Sequence, residues 1–168
     1  MAIVLQKEVI VDRWTLLVKD AGGKAEQIYE DTQTLVKKAD PPKVSFERVN
    51  VAPSLVEGFL GNERTFILVT NKDLPGYNMY IASRDYGKNL DLAWYLTYQP
   101  SLFERAVFKL LGWLLKKTLV PTLNLFQDQD LRAYTTVVHH AFLDAVAVIT
   151  EGKNIEIDRK SKGFLGIS

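Results

Sequence analysis

The chain has 168 residues, of which 47% are apolar and 24% charged, and its formal net charge is +1. This composition is typical of a globular protein, and the length is sufficient for one domain with a sizeable core. The near-neutral charge argues against nucleic-acid binding, and the absence of cysteine excludes disulfides, thiolate metal sites and cysteine nucleophiles. We therefore expect one domain over residues 1–168, and the lack of cysteine favours a reducing, cytoplasmic location.

The N-terminal part of the chain predicts strands followed by a helix. Residues 3–11 are rich in β-branched side chains, and residues 14–18 (WTLLV) form a second apolar run, so two strands are predicted. One long bent strand is the alternative, because Asp12-Arg13 is a weak turn signal. Residues 24–38 carry apolar side chains at three- and four-residue spacing, which predicts a helix that ends before Pro41-Pro42.

Further strands are predicted between residues 44 and 70. Residues 44–51 (VSFERVNV) alternate imperfectly, which indicates a strand with a bulge. Residues 55–60 and 63–70 flank Gly61-Asn62, a pair typical of a tight hairpin turn. The continuous apolar run within 63–70 predicts a central strand that is covered on both faces.

The clearest pattern is a hairpin formed by residues 77–84 and 90–98. Side chains in both segments alternate with a period of two, as in a half-buried antiparallel sheet. Between them, residues 85–89 (DYGKN) predict a five-residue turn that contains glycine.

Residues 101–120 (SLFERAVFKLLGWLLKKTLV) predict a strongly apolar helix. Ser101 and Glu104 have the spacing of a capping box at its start, and Pro121 stops it. A membrane span is not predicted, because charged residues interrupt the apolar run.

A second long helix is predicted from a cap at Asp128 or Asp130 to about Thr150. Its apolar stripe consists of Leu131, Tyr134, Thr135, Val138, Phe142, Ala145 and Ile149. Residues 154–158 (NIEID) predict a short last strand.

Strand patterns dominate the first part of the chain and helix patterns the second, which is typical of α+β proteins rather than of a doubly wound parallel sheet. We predict an α+β fold with an antiparallel sheet of about five to seven strands. One early helix and two later long helices are expected to pack on this sheet.

The helix at 101–120 is apolar around most of its circumference, because its polar positions form one narrow stripe. Three interpretations of the surplus apolar flank stay open. The second long helix buries it, or it encloses a pocket for an apolar small molecule, or it lies at a membrane surface or in a protein groove. For the pocket, the predicted ligand-binding residues are Tyr80, Trp94, Tyr98, Val107, Leu111 and Trp113.

Candidate catalytic residues are few. Asp144 lies four residues after His140 on the second long helix, so these two side chains form a candidate acid–base pair. Residues 20–24 (DAGGK) lie between a strand and a helix, as an anion-binding loop would, but they lack the spacing of a phosphate-binding motif. No pattern predicts a metal site or a cofactor.

We therefore predict a non-enzymatic domain that binds an apolar small molecule or a protein partner at a helix–sheet interface, as a homodimer. The alternatives are an enzyme that uses His140 and Asp144, and peripheral membrane binding through the helix at 101–120.

Overall fold

The computed structural model describes residues 3–4, 8–52, 63–100 and 123–151. They form an α+β fold in which five antiparallel strands share one sheet and two helices pack on it, which confirms the predicted class. In chain order the elements are β1 (Ile3–Val4), β2 (Val9–Val18), α1 (Ala25–Ala39), β3 (Val44–Ala52), β4 (Arg64–Asn71), β5 (Tyr77–Tyr86), β6 (Asn89–Tyr98) and α2 (Leu125–Thr150). The strand order is β1-β3-β4-β5-β6-β2, and the two-residue β1 pairs in parallel with β3.

Three predicted elements lie outside the described residues, namely the helix at 101–120 and the strands at 55–60 and 154–158. The candidate pocket residues on that helix lie there too: Val107, Leu111 and Trp113. Of the two later helices that were predicted, the described residues therefore contain one, and the predicted strand count is matched in part.

Both described helices lie on the same side of the sheet, which we call the helix side. Its core contains the large buried side chains Trp14, Ile28, Trp94, Val138 and Phe142. The opposite side, which we call the far side, carries a second buried apolar cluster formed by Val51, Phe66, Leu68 and Tyr80. Strand β4 contributes buried side chains to both sides, so the prediction of a central strand covered on both faces is confirmed.

Strand β2 is one continuous strand, which confirms the alternative of one long strand over the two strands that were predicted. It pairs with β6 from Val9 to Val18, and its register shifts between Ile10 and Asp12. Without that bulge, Ile10 and Trp14 would point to the same side of the sheet, because their separation is even. The bulge places the Trp14 side chain in the helix-side core and leaves Ile10 exposed on the far side.

Strand β3 contains no bulge, which corrects the prediction for residues 44–51. It pairs with β4 without a register shift from Val44 to Val51. The alternation of apolar and polar residues in β3 is irregular for a different reason, because both sides of the sheet are apolar. Phe46 packs against the helix-side core, whereas Val49 packs against the far-side cluster.

The β5–β6 hairpin is confirmed, but its turn is shorter than predicted. Tyr86 pairs with Asn89, so only Gly87 and Lys88 form the turn. Gly87 has a φ of 63°, and a two-residue hairpin turn requires such a positive φ. The strands therefore continue through most of the residues that were predicted as a five-residue turn.

Helix α1 agrees with the helix predicted at 24–38 to within one residue at each end. Asp40 follows it in the left-handed conformation, and its N–H donates to the carbonyl groups of Val36 and Lys37. The buried side chains of α1 are Ile28, Tyr29, Thr32 and Val36.

Helix α2 begins earlier than predicted, because Asn124 caps it and not Asp128 or Asp130. The Asn124 side chain accepts from the Gln127 N–H at 2.9 Å, and the Gln127 side chain accepts from the Asn124 N–H at 3.2 Å. This is a capping box, which satisfies two N–H groups at the helix start. By length and composition α2 could also cross a membrane, yet 56% of its most apolar window is buried inside the fold, as in a core helix.

Candidate functional site

The structure does not bring the three described candidate pocket residues to one place. Trp94 and Tyr98 lie on the helix side of β6, where Trp94 is fully buried. Tyr80 lies on the far side of β5, in register with Tyr95. Strand alternation separates them, because successive side chains point to opposite faces. Their assignment as ligand-binding residues stays a prediction.

The Tyr80 hydroxyl binds a carboxylate. It donates to Glu8 Oε1 at 2.8 Å, and the Thr97 hydroxyl donates to the other carboxylate oxygen. Burial raises the pKa of Tyr80, and the negative charge of Glu8 raises it further. The phenol therefore stays protonated and anchors the residue that precedes β2.

The histidine in the core is His139, whereas the predicted candidate was its neighbour. His139 is fully buried, and its Nδ1 accepts a hydrogen bond of 2.8 Å from Trp94 Nε1. His140 and Asp144 are both exposed on α2, one turn apart. Position 139 lies four residues after Thr135 and three before Phe142, a spacing that would have placed it on the apolar stripe.

The loop at 20–24 uses its amide groups within the protein. The Gly23 N–H donates to Asp85 Oδ1 at 2.7 Å, and the Gly22 N–H donates to the Lys88 carbonyl at 2.9 Å. A carboxylate of the β5–β6 hairpin therefore lies where an anion would bind. Within the described residues, no group of three or more His, Asp or Glu side chains is arranged to hold a metal ion.

The most distinctive local feature is an opening between β4 and β5. These strands pair from Thr70 to Ile67, and the described pairing ends there. Continued pairing would bring Phe66 opposite Ala82 and then Thr65 opposite Ser83. Instead the hydroxyl group of Tyr29 lies between them, since it donates to the Thr65 carbonyl at 2.7 Å and accepts from the Ser83 N–H at 2.9 Å. One side-chain oxygen thus replaces a direct backbone hydrogen bond.

Helix α1 positions the Tyr29 side chain for this role. The residue is 4% exposed, and the Arg48 guanidinium lies 5.1 Å from the centre of its ring. Burial raises the pKa of Tyr29, although the Ser83 N–H and the charge of Arg48 partly oppose this effect. The hydroxyl therefore remains able to donate to Thr65 at neutral pH.

Beyond Tyr29 the separated strands border a cleft of about 440 Å³, whose lining includes α1 on the helix side and the Phe66 and Tyr95 side chains on the far side of the sheet. Side chains of α1, β3, β4, β5 and β6 line it. Its aromatic lining consists of Tyr29, Phe66 and Tyr95. Its volume falls within the range of about 300–1,000 Å³ that is usual for small-molecule sites.

Five charged side chains line this cleft, and four of them form ion pairs. Arg48 Nη2 lies 2.6 Å from Glu26 Oε1, and Arg84 Nε lies 2.7 Å from Asp91 Oδ2. The fifth, Arg64, is exposed, and no ion pair among the described residues includes it. These side chains therefore leave the cleft with one unbalanced positive charge.

Ser83 contributes a buried hydroxyl group to the cleft. It is 5% exposed, and its Oγ makes no hydrogen bond to any described residue. A buried hydroxyl in this state costs about 1–3 kcal/mol, so it calls for an explanation. The sequence contained a signal for it, because Ser83 continues the apolar alternation of Tyr77, Met79 and Ile81.

A second cavity, of about 330 Å³, lies between the end of α1, the start of β3 and α2. Lys43 and Asp73 form an ion pair of 2.5 Å at this cavity, and both side chains are at least half exposed. Among the described residues, the unpartnered buried hydroxyl of Ser83 lines the first cavity and not this one. The cleft beside Tyr29 is therefore the stronger candidate site.

Comparison of the chain with protein-family models, with curated proteins and with solved structures finds no match.

Proposed function

We propose that this domain binds a small molecule in the cleft at the opening between β4 and β5. The observation that carries the proposal is the strand opening held by Tyr29, together with the unpartnered hydroxyl of Ser83 inside it. Like the predicted site, the proposed one lies where a helix meets the sheet, but its described lining contains none of the predicted ligand-binding residues. The helix concerned is α1, and the predicted helix at 101–120 lies outside the described residues.

Packing and hydrogen bonding alone would favour a closed ladder at this point. Direct pairing of Thr65 with Ser83 would satisfy their backbone groups without a side chain, as in the rest of the β4–β5 ladder. In the observed arrangement Ser83 Oγ is buried and makes no hydrogen bond to any described residue. Sites that trade stability for binding are typical of ligand pockets, in which a few polar groups stand among apolar ones.

The proposal also includes a homodimer, as expected from the sequence. Strand β2 ends the strand order of the described sheet and exposes Ile10 and Leu17, at 55% and 51%. A second copy that packs on these side chains would remove their apolar surface from water.

Native mass spectrometry of the protein purified from cells tests both parts. We expect a bound small molecule in the wild-type protein and a mass of two chains. The variant Ala82→Phe, which places a ring in the cleft, should lose the small molecule. Ala147→Phe adds the same ring to an exposed position of α2 and should retain it.

Circular dichroism of both variants checks that each is folded. A folded Ala82→Phe protein that retains the small molecule as well as Ala147→Phe does would place the binding site elsewhere. A wild-type protein that carries no small molecule, and whose melting temperature no member of a fragment library raises, would refute the binding function.

A further inference from the structure

We infer that the ligand of this cleft is an aromatic monocarboxylate whose carboxylate group pairs with Arg64. This inference rests on the proposed binding function and extends it to the chemical class of the ligand. Three features of the lining lead to it, namely its charge, its apolar surface and the spacing between the two.

The charge of the lining indicates a monoanion. Glu26 and Asp91 are each paired with an arginine, which leaves Arg64 as the guanidinium without a described carboxylate partner. One negative charge would neutralise it. A phosphate dianion would instead bring excess negative charge close to Glu26 and Asp91. The planar guanidinium also matches a carboxylate with two parallel hydrogen bonds.

The apolar surface indicates a flat ring. Phe66 and Tyr95 present aromatic side chains to the cleft, and Ala82 and Ala93 contribute only methyl groups beside them. All four lie on the far side of the sheet, as register and strand alternation require. Ala82 and Ala93 are register partners, and their small side chains leave room for a ring that packs against Phe66 and Tyr95 in an offset or edge-to-face arrangement.

The distance between Arg64 and Phe66 suits a ligand whose aromatic ring carries a carboxylate group. Arg64 and Phe66 are two residues apart on β4, so they point to the same side of the sheet at a separation of about 6.5 Å. A ring that carries a carboxylate spans such a distance.

Three probes that share one ring test the inference: 2-naphthoate, the neutral 2-naphthylmethanol and the dianionic 2-naphthyl phosphate. Binding is followed by the amide shifts of Thr65 and Ser83 in two-dimensional NMR spectra of the full chain. We expect 2-naphthoate to bind at least tenfold more tightly than either of the other two.

In the variant Arg64→Gln, the preference for 2-naphthoate over the alcohol should disappear, and the affinity for the alcohol should not change. Arg132→Gln, an exposed position on α2 outside the cleft, removes the same charge and should keep the preference.

Equal binding of acid and alcohol by the wild-type protein would overturn the carboxylate assignment while leaving the cleft as a binding site. Tighter binding of the phosphate, or a preference that survives Arg64→Gln, would overturn it as well. If no probe shifts the two amides, the inference fails, and the native mass measurement decides separately whether the cleft binds another class of molecule.

Discussion

The hydroxyl group of Tyr29 controls the local geometry of the sheet. It takes the place that a backbone carbonyl would occupy opposite the Ser83 N–H, and it donates in turn to Thr65. Because both partners belong to strands that would otherwise pair, this single oxygen both opens the ladder and satisfies the groups that the opening exposes.

The variant Tyr29→Phe tests this role. It leaves the Thr65 carbonyl and the Ser83 N–H without their partner, so we expect unfolding to require about 1–3 kcal/mol less free energy. Urea denaturation at neutral pH measures the difference. The control is Tyr86→Phe at an exposed position of the hairpin, which should change stability by less than about 0.5 kcal/mol. Equal effects of the two variants would show that the hydroxyl of Tyr29 does not support the fold.

Ser83 is expected to behave in the opposite way, because its hydroxyl makes no hydrogen bond within the part of the chain that the structure describes. The variant Ser83→Ala removes a buried group that makes no described hydrogen bond, so stability should rise by about 1 kcal/mol. Ser45→Ala on β3 makes the same change at an exposed position, where the hydroxyl contacts Thr70, and it should not stabilise the protein. Urea denaturation compares the two, and a Ser83→Ala protein less stable than Ser45→Ala would indicate that the hydroxyl is already satisfied.

The strands and helices follow their sequence patterns except in β2 and β3. There the pattern is irregular, because both sides of the sheet carry a buried apolar cluster. Strand β3 contains no bulge, although its apolar residues lie on one side of the sheet and then on the other. This is possible because each side has a buried apolar cluster. Strand β2 needs a bulge, because Trp14 must reach the helix-side core. Alternation alone does not distinguish these two cases.

The start of α2 provides a test at its capping box. The variant Asn124→Ala removes the side chain that accepts from the Gln127 N–H, and we expect a loss of about 1 kcal/mol in the free energy of unfolding. Asp130→Ala, at one of the two positions predicted as the cap, should change stability by less than about 0.5 kcal/mol. Thermal denaturation followed by circular dichroism measures both, and a larger loss in Asp130→Ala would contradict the observed helix start.

Because tyrosines are buried on both sides of the sheet, the stability of the fold should decrease with increasing pH in the alkaline range. Burial raises the pKa of Tyr29, Tyr80 and Tyr134 above the ordinary value of about 10. In the unfolded chain these phenols ionise near that value, whereas in the folded protein they stay neutral. Their contribution to stability is therefore complete below about pH 10 and decreases as the pH rises further.

We expect the free energy of unfolding to fall between about pH 10 and 12, with part of the tyrosinate absorbance appearing only as the protein unfolds. The variant Tyr80→Phe should weaken this pH dependence, and Tyr86→Phe at an exposed position should not. If all seven tyrosines of the folded protein ionised together near pH 10, burial would not protect these three.

The amino-acid sequence by itself determined the α+β class, helix α1, the β5–β6 hairpin and the apolar stripe of α2. These features depend on periods of two or of three to four residues, which local side-chain order sets. Element ends were less well predicted, since the cap of α2 and the length of the hairpin turn depend on individual side-chain and backbone hydrogen bonds.

The tertiary structure decided which side chains meet. Aromatic content suggested Tyr80, Trp94 and Tyr98 as one pocket, yet strand alternation and the position of the helices place Tyr80 on the opposite side of the sheet. The cleft depends instead on Tyr29 and Ser83, which are 54 positions apart in the chain. No local pattern specifies that a helix side chain will lie between two strands, because this results from how α1 packs on the completed sheet.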